Sequence, residues 1–396
     1  MKKLFAVILT FAVLLGISGC ASYAVKNPLP YPDYTFTDTP DTAQLRQTAV
    51  QAMHDLLAIE WCSPEGGIAY NKKGSKKHFQ YPEEMTFGGV MYTGASAGLF
   101  HFLEFYDFET GMLNYPGTSD ELKEQIGSAC ADSLLWSWAT VCNSTTGGFH
   151  PNFMVQKNGF IPVGTYEYNA TIPSFALLST ETIIDKNGPE IMAESYAQTL
   201  PADALVSSTD IHAMMVIEPP TVIYLADGKI DTANSYIMIQ DQRGGIGAGF
   251  YDVEHDGYTV HHSGRISEKF TFDLLMEKNY IPMTAAEFLG TKEYDAPTVT
   301  IEGGECTSYA ALKDLSLVSN YPIAVINIRT KNSKGELMLL DRIFLNGVSE
   351  AGAPKTYKLS NSYPLMQLDI RNWTGVQIEV VSSTGKRFTP IDLAFN

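Results

Sequence analysis

Cys130 is the residue whose surroundings could make it a nucleophile. It stands in the stretch Gly127-Ser128-Ala129-Cys130-Ala131-Asp132-Ser133-Leu134-Leu135-Trp136-Ser137-Trp138. From Ser128 onward, Leu134, Leu135, Trp138 and Val141 fall on one side of a 3.6-residue repeat, the pattern of a helix with one apolar face. Ser128 is the expected N-cap, which puts Cys130 in the first turn. Unpaired backbone N–H groups and the positive end of the helix dipole favour thiolate there, and thiolate is the nucleophilic form. A buried structural cysteine would read the same way, since free cysteine is among the most buried residue types. The rest of the chain must therefore supply a base.

His212 is that base candidate. Leu200-Pro201-Ala202-Asp203-Ala204-Leu205-Val206 reads as a turn with an aspartate leading into a strand. Thr209-Asp210-Ile211-His212-Ala213-Met214-Met215-Val216 then opens a second strand near its histidine. The next strand, Tyr236–Gln242, carries three polar residues that could orient an imidazole. Gln240 and Gln242 share one face of it and Asp241 the other. Rival chemistry is weaker. Cys142 closes the Cys130 helix, where the dipole disfavours thiolate. His255, His261 and His262 near Asp252, Glu254 and Asp256 are suitable ligand types but lack the spacing of a helical two-histidine motif. No metal and no cofactor is expected.

The ends and totals set the context. Lys2 and Lys3, an apolar run from Leu4 to Leu15, and Ile17-Ser18-Gly19-Cys20 have the form of a bacterial lipoprotein signal. Residues 1–19 are then removed, and Cys20 is lipidated as the new N-terminus, which places the protein in the cell envelope, anchored to the membrane. Formal net charge is −17, and removal of Lys2 and Lys3 makes it −19. Such a chain will not hold nucleic acid by bulk electrostatics. Cys62, Cys142 and Cys306 leave a disulfide open, with no pairing assigned.

The expected elements that position these residues run as follows. Residues 20–40, rich in proline, form a tether. Asp41–Trp61 is a helix with Leu45, Ala49, Ala52, Met53, Leu56 and Ile59 on one stripe. Residues 62–91 hold short strands. Helices follow over Ala95–Phe105 and Ser119–Ile126. Residues 143–188 are irregular or β-like, and Pro189–Leu200 is a helix started by Gly188-Pro189. From residue 296 to 396 short strands recur, at Thr298–Ile301, Ala324–Thr330, Leu337–Phe344, Gln367–Ile370 and Gln377–Val381. They imply a β-sandwich domain without chemistry of its own, suited to a protein partner.

Taken together, the turn, the histidine strand and the cysteine helix resemble the papain-like cell-wall cysteine peptidases of the NlpC type. Those enzymes place a nucleophile at a helix N-terminus, then a turn like L-x-P-G-D-L-V, a strand opening with histidine, and a polar residue on the next strand. The resemblance implies an α+β papain-like domain over residues 41–295, with Cys130 as nucleophile and His212 as base. It makes Gln242 the orienting residue, ahead of Gln240 and Asp241. It also makes Tyr92, in Gly88-Gly89-Val90-Met91-Tyr92, a donor at the oxyanion site. The implied substrate is a peptide or amide of the envelope, above all the stem peptides of peptidoglycan. Ala129, Ala131-Asp132, Ala202 and Ile211 depart from the family pattern, the last two replacing glycines, and Pro219–Ser235 is an insert.

Overall fold

Six antiparallel strands form the wall against which the cysteine helix is laid. Their order across the sheet is Gly264–Thr271, Tyr236–Gln242, His212–Val216, Ala204–Ser207, Ile281–Thr284 and Ile161–Pro162. The computed structural model describes residues 31–62, 67–70, 78–81, 85–115, 126–145, 150–168, 171–172, 177–244, 249–255, 257–345 and 354–395. The signal segment, Cys20, the tether up to residue 30, the helix expected from Ser119 and Asp256 lie outside these residues. The class is mixed α+β.

The first helix runs Thr42–Ala58, one residue shorter at its start and three at its end than the expected Asp41–Trp61. Asp41 Oδ1 accepts from Gln44 N at 2.8 Å, and Gln44 Oε1 accepts from Asp41 N at 2.9 Å, a reciprocal capping box. The cysteine helix, Cys130–Trp138, has all nine residues buried. A helix that short is marginal alone, so its packing holds it. Trp138 stacks on Phe160 at 5.5 Å and donates Nε1–H to Ala202 O at 2.8 Å. Both helices share one core with the sheet.

The turn before the central strands is an anchor. Asp203 Oδ2 accepts from Leu200 N at 2.8 Å, and its Oδ1 meets Arg46 Nη1 at 2.7 Å with both side chains buried. Arg46 also donates to Pro201 O at 2.7 Å. The turn aspartate thus ties the sheet to the first helix and does no chemistry.

Several expected elements are corrected. The helix over Ala95–Phe105 shrinks to Leu99–Leu103, because Ser96 is left-handed (φ 54) and Gly98 is extended. The helix expected from Pro189 does start there and ends at Tyr196, short of Leu200, but another helical run, from Thr180, precedes it within the stretch read as irregular. The two are divided at Gly188 (φ 76, ψ 170), just before Pro189, which cannot continue the hydrogen-bond ladder. Gln367–Ile370 is not a strand: Ser362 caps a short helix, Tyr363–Met366, with Pro364 inside its first turn.

Beyond residue 296 two antiparallel sheets face each other. One holds Leu337–Phe344, Ile323–Lys331, Gly375–Ser382 and Arg387–Ala394, and the other Val299–Glu302, Ser316–Ser319 and Thr356–Lys358. Leu317, Ile326, Ile328, Val376, Ile378 and Ile391 fill a second core between them. This β-sandwich is docked on the first unit. Ser383 Oγ donates to Ala139 O at 2.6 Å, Tyr321 OH to Val141 O at 3.2 Å and Lys355 Nζ to Asn143 O at 3.0 Å. Glu104 pairs with Arg342 at 3.2 Å and Arg387 at 3.1 Å.

Candidate active site

Cys130 is the first residue of its helix. The N-cap is Ala129, extended at φ −113, and not Ser128 as the sequence suggested. Ala129 has no side-chain acceptor. The cap is made instead by Asp132 Oδ2, which accepts from Ala129 N at 3.0 Å. Ser128 pairs its Oγ with Ser133 Oγ at 3.1 Å and bridges to Tyr92 through the backbone. Ser128 N donates to Met91 O at 2.9 Å and Thr93 N to Ser128 O at 3.0 Å. These bonds set Tyr92 beside the start of the helix.

His212 is the first residue of its strand, and its ring lies beside the Cys130 sulfur, the two groups acting on each other's protonation. The other ring contact is to Asp241: Nε2 lies 2.5 Å from Oδ2. That leaves Nδ1 for the sulfur. Asp241 is itself clamped by Arg265, whose Nε donates to Oδ1 at 2.8 Å and whose Nη2 donates to Oδ2. Asp241 is fully buried. The Cys130 sulfur also lies 3.8 Å from Ile211 O.

The orienting residue is therefore Asp241, and the expectation of Gln242 is corrected. Met215 pairs with Gln240 across the sheet. Side chains alternate along a strand, so His212 and Met214 lie on the face opposite Gln240 and Gln242, the face of Asp241. Arg265 pairs directly with Asp241 on the other side, just past a register shift between Ile239 and Asp241. The two glutamines are packing ties. Gln242 Oε1 accepts from Ser133 Oγ and its Nε2 donates to Val90 O at 2.8 Å. Gln240 Nε2 donates to Val50 O at 2.9 Å.

The charges in this row are shifted in a mutually supporting way. Burial alone would raise the Cys130 thiol, but the His212 imidazolium beside it outweighs burial and brings it below its ordinary range. Burial alone would lower His212. The Cys130 thiolate first, and then Asp241, lift it to about 9. Burial would raise Asp241, yet Arg265 and His212 hold it down at about 2. These shifts favour alternating sign along the row: thiolate, imidazolium, carboxylate and guanidinium. Such a thiolate can attack a carbonyl carbon, and such an imidazolium can protonate a leaving group.

Tyr92 is half-buried. Burial raises its phenol, and the negative Cys130 and Asp132 raise it further, so it stays a hydrogen-bond donor. Asp132 is pushed well up by burial. The backbone around the site is strained at the two residues where glycine was expected. Ala202 has φ 72 and Ile211 φ 50. A β-branched residue in the left-handed region is rare, and such positions cost on the order of 1–3 kcal/mol. The upstream Gly88 has a different duty: a Cβ there would sit 2.2 Å from the His262 ring, so only glycine lets that ring pack.

Arg265 escaped the sequence reading, because its role is defined only by the residue across the sheet. The remaining histidines do not gather. His261 Nδ1 pairs with Asp252 Oδ1 at 2.7 Å, His262 lies against Leu57 O at 3.3 Å, and His255 stacks on Tyr258 at 5.0 Å. Among the described residues no group of three or more His, Cys, Asp or Glu is placed to hold a metal ion. Among the described residues no disulfide joins Cys130, Cys142 or Cys306, and burial followed by Glu287 pushes the Cys142 thiol up, so it is the inert member. No described helix is long and apolar enough to cross a membrane. Comparisons with protein-family models, with curated proteins and with solved structures find no match to this chain.

Proposed function

We propose that the chain is a cysteine hydrolase of papain-like, NlpC-type design that cleaves peptide or amide bonds in the cell envelope, with peptidoglycan stem peptides as the foremost substrate. The observation that carries this reading is the row Cys130, His212, Asp241, Arg265, with the thiol at a helix N-terminus and the imidazole held from its far side. Chain order agrees with the papain-like order of nucleophile, base and orienting residue. Ala202 and Ile211 support it too: they keep a left-handed backbone where the family has glycine, so the turn shape is retained although its usual residue is lost.

The chemistry follows from the atoms. The Cys130 thiolate adds to the amide carbonyl carbon, and the oxygen that becomes negative is met by the Cys130 backbone N–H and the Tyr92 hydroxyl. Preorganised donors of this kind are worth on the order of 3 kcal/mol each. The tetrahedral adduct collapses as His212 gives its Nδ1 proton to the leaving amine, and a thioester remains. His212, now neutral, takes a proton from water, hydroxide adds to the thioester, and the carboxylic acid leaves as Cys130 is restored. Asp241 holds the ring orientation and stabilises the imidazolium without taking its proton.

The lipoprotein signal supports an address at the outer face of a membrane, with Cys20 as anchor and residues 21–40 as tether. Digestion of purified peptidoglycan by the full chain and by Cys130→Ala, with mass analysis of the fragments, tests the reading. Fragments ending at a cleaved stem peptide are expected from the first and none from the second. Equal cleavage by both would sink it.

A further inference from the structure

Two residues past Asp241 the chain leaves its strand at Arg243. Its backbone N–H is fixed to Ser263 O at 3.0 Å, but its side chain is 39% exposed. Among the described residues its ionic partner is Asp210, through one contact of 3.5 Å from Nη1 to Oδ2. That is a long single contact and not the paired fork that arginine forms with a carboxylate it is built to hold. The same Asp210 oxygen already accepts from Tyr280 OH at 2.7 Å. Arg265 is the contrast: it is 11% exposed and closes both of its contacts on Asp241.

These groups border the thiol. Asp210 precedes Ile211, whose carbonyl lies 3.8 Å from the Cys130 sulfur. The Tyr280 ring stands edge-on to the His212 ring at 6.4 Å. The Arg243 charge acts on the Tyr92 phenol, the same phenol that feels the Cys130 sulfur. A guanidinium whose remaining donors meet no partner among the described residues thus stands at the rim of the thiol site. In a chain of net charge −17 the overall field repels anions, so a local cation is what admits an anionic group there.

We propose that Arg243 is a carboxylate anchor: the site acts on amides that carry a carboxylate close to the scissile carbonyl, and Arg243 takes that carboxylate as a fork while Asp210 stays with Tyr280. The inference rests on the reading of Cys130 as the nucleophile.

Two alkylating probes that differ in charge test it on the full chain. Iodoacetamide is neutral, and iodoacetate presents a carboxylate next to its electrophilic carbon. With either, the thiolate forms a new sulfur–carbon bond as the carbon–iodine bond breaks and iodide leaves. Modification is followed by mass on the peptide that contains Cys130, since Cys142 and Cys306 are also free thiols. The ratio of the iodoacetate rate to the iodoacetamide rate cancels the thiolate fraction. Removing one unit charge near the reacting atoms at an intermediate dielectric implies that Arg243→Gln lowers the ratio by about fivefold or more at low ionic strength. Arg243→Lys keeps most of it, as the charge remains, and Asp210→Asn raises it by removing the anion that competes for the guanidinium. About 0.5 M salt compresses these differences. A ratio for Arg243→Gln within about twofold of the unchanged protein, or an equal fall in Arg243→Lys, overturns the anchor while brisk iodoacetamide labelling leaves the thiol reading standing. Absence of iodoacetamide labelling at Cys130 in the unchanged protein overturns both.

Discussion

Asp241 and Gln242 are neighbours with different duties, and replacing each in turn separates them. In Asp241→Asn the His212 ring keeps a partner of similar size but loses the carboxylate 2.5 Å from Nε2. In the intact protein burial opposes the imidazolium, and Cys130 and Asp241 together lift His212 from 6.5 to about 9. That is a preference on the order of 3 kcal/mol for the charged ring, at about 1.4 kcal/mol per pH unit. Without Asp241, burial is answered by Cys130 alone, so the His212 titration midpoint falls toward neutrality. The thiolate–imidazolium pair thins out at neutral pH, and amide hydrolysis drops by as much as roughly 10⁴-fold, the scale set by other orienting carboxylates. Arg265 is also left as a stranded buried charge, which costs about 3–5 kcal/mol of stability. A double variant, Asp241→Asn with Arg265→Gln, removes that stranded charge and keeps the effect on the ring. Gln242→Ala loses its ties to Ser133 and Val90, worth about 1–2 kcal/mol of stability together, and leaves the His212 midpoint in place. The assay is an NMR titration of the imidazole Cε1–H, with a denaturant melt on each variant. A midpoint still near 9 in both Asp241 variants, or a midpoint that falls in Gln242→Ala, refutes the reasoning.

Three further outcomes are expected. Arg46→Met breaks its buried pair with Asp203 and should cost about 3–5 kcal/mol, read as a lower urea midpoint; a change under about 1 kcal/mol would mean the pair behaves like a surface one. Ile211→Gly relieves a left-handed β-branched residue whose side chain is 55% exposed, so it should stabilise the fold by on the order of 1 kcal/mol; a loss in thermal midpoint would show that the Ile211 side chain is held by contacts that outweigh the strain. The pH dependence of stability has two limbs. His212 is raised in the folded protein, to about 9, so its contribution is whole below about 6.5, the unfolded value, and is lost as pH rises through about 9. Asp241 is lowered to about 2, so its contribution is whole above about 4 and is lost as pH falls through about 2. Denaturant midpoints across pH in the intact protein and in Asp241→Asn check both, the variant being expected to flatten the acid limb.

The cysteine helix was legible in sequence because Gly127 ends what precedes it and the Leu134, Leu135, Trp138 stripe has helical spacing. His212 was legible because a turn and an apolar run frame it. The orienting residue was not. Gln242 and Asp241 differ only in which face they occupy, and the face of His212 depends on which residue of the next strand it meets. That register is set by Met215 opposite Gln240 and by the irregularity between Ile239 and Asp241, neither of which leaves a local signal. Arg265 was hidden for the same reason. Gly188-Pro189 reads correctly as a helix start, but the run before it, from Thr180, was missed because the same glycine also ends that run and leaves it short. In the sandwich, Leu368 and Ile370 alternate like strand residues, but Ser362 and Pro364 had already committed the chain to a turn of helix.

The docking of the sandwich on the cysteine helix bears on the order in which the molecule becomes rigid. The amino end of that helix is held by residues 91–93, close in the chain. Its carboxyl end, where carbonyls lack helical partners, takes Ser383 on Ala139 across a separation of 244 residues and Tyr321 on Val141 across 180. Closing loops of that length is slow even though its entropic cost grows only weakly with length. Trp138 is already fixed by Phe160 and Ala202, so the physical expectation is that the turn after it, Ala139–Val141, gains its last carbonyl partners only when nearly the whole chain has been made and the last strands have formed. The thiol would then reach its full reactivity only in a finished molecule, a form of timing written into contact distance and not into any regulatory group.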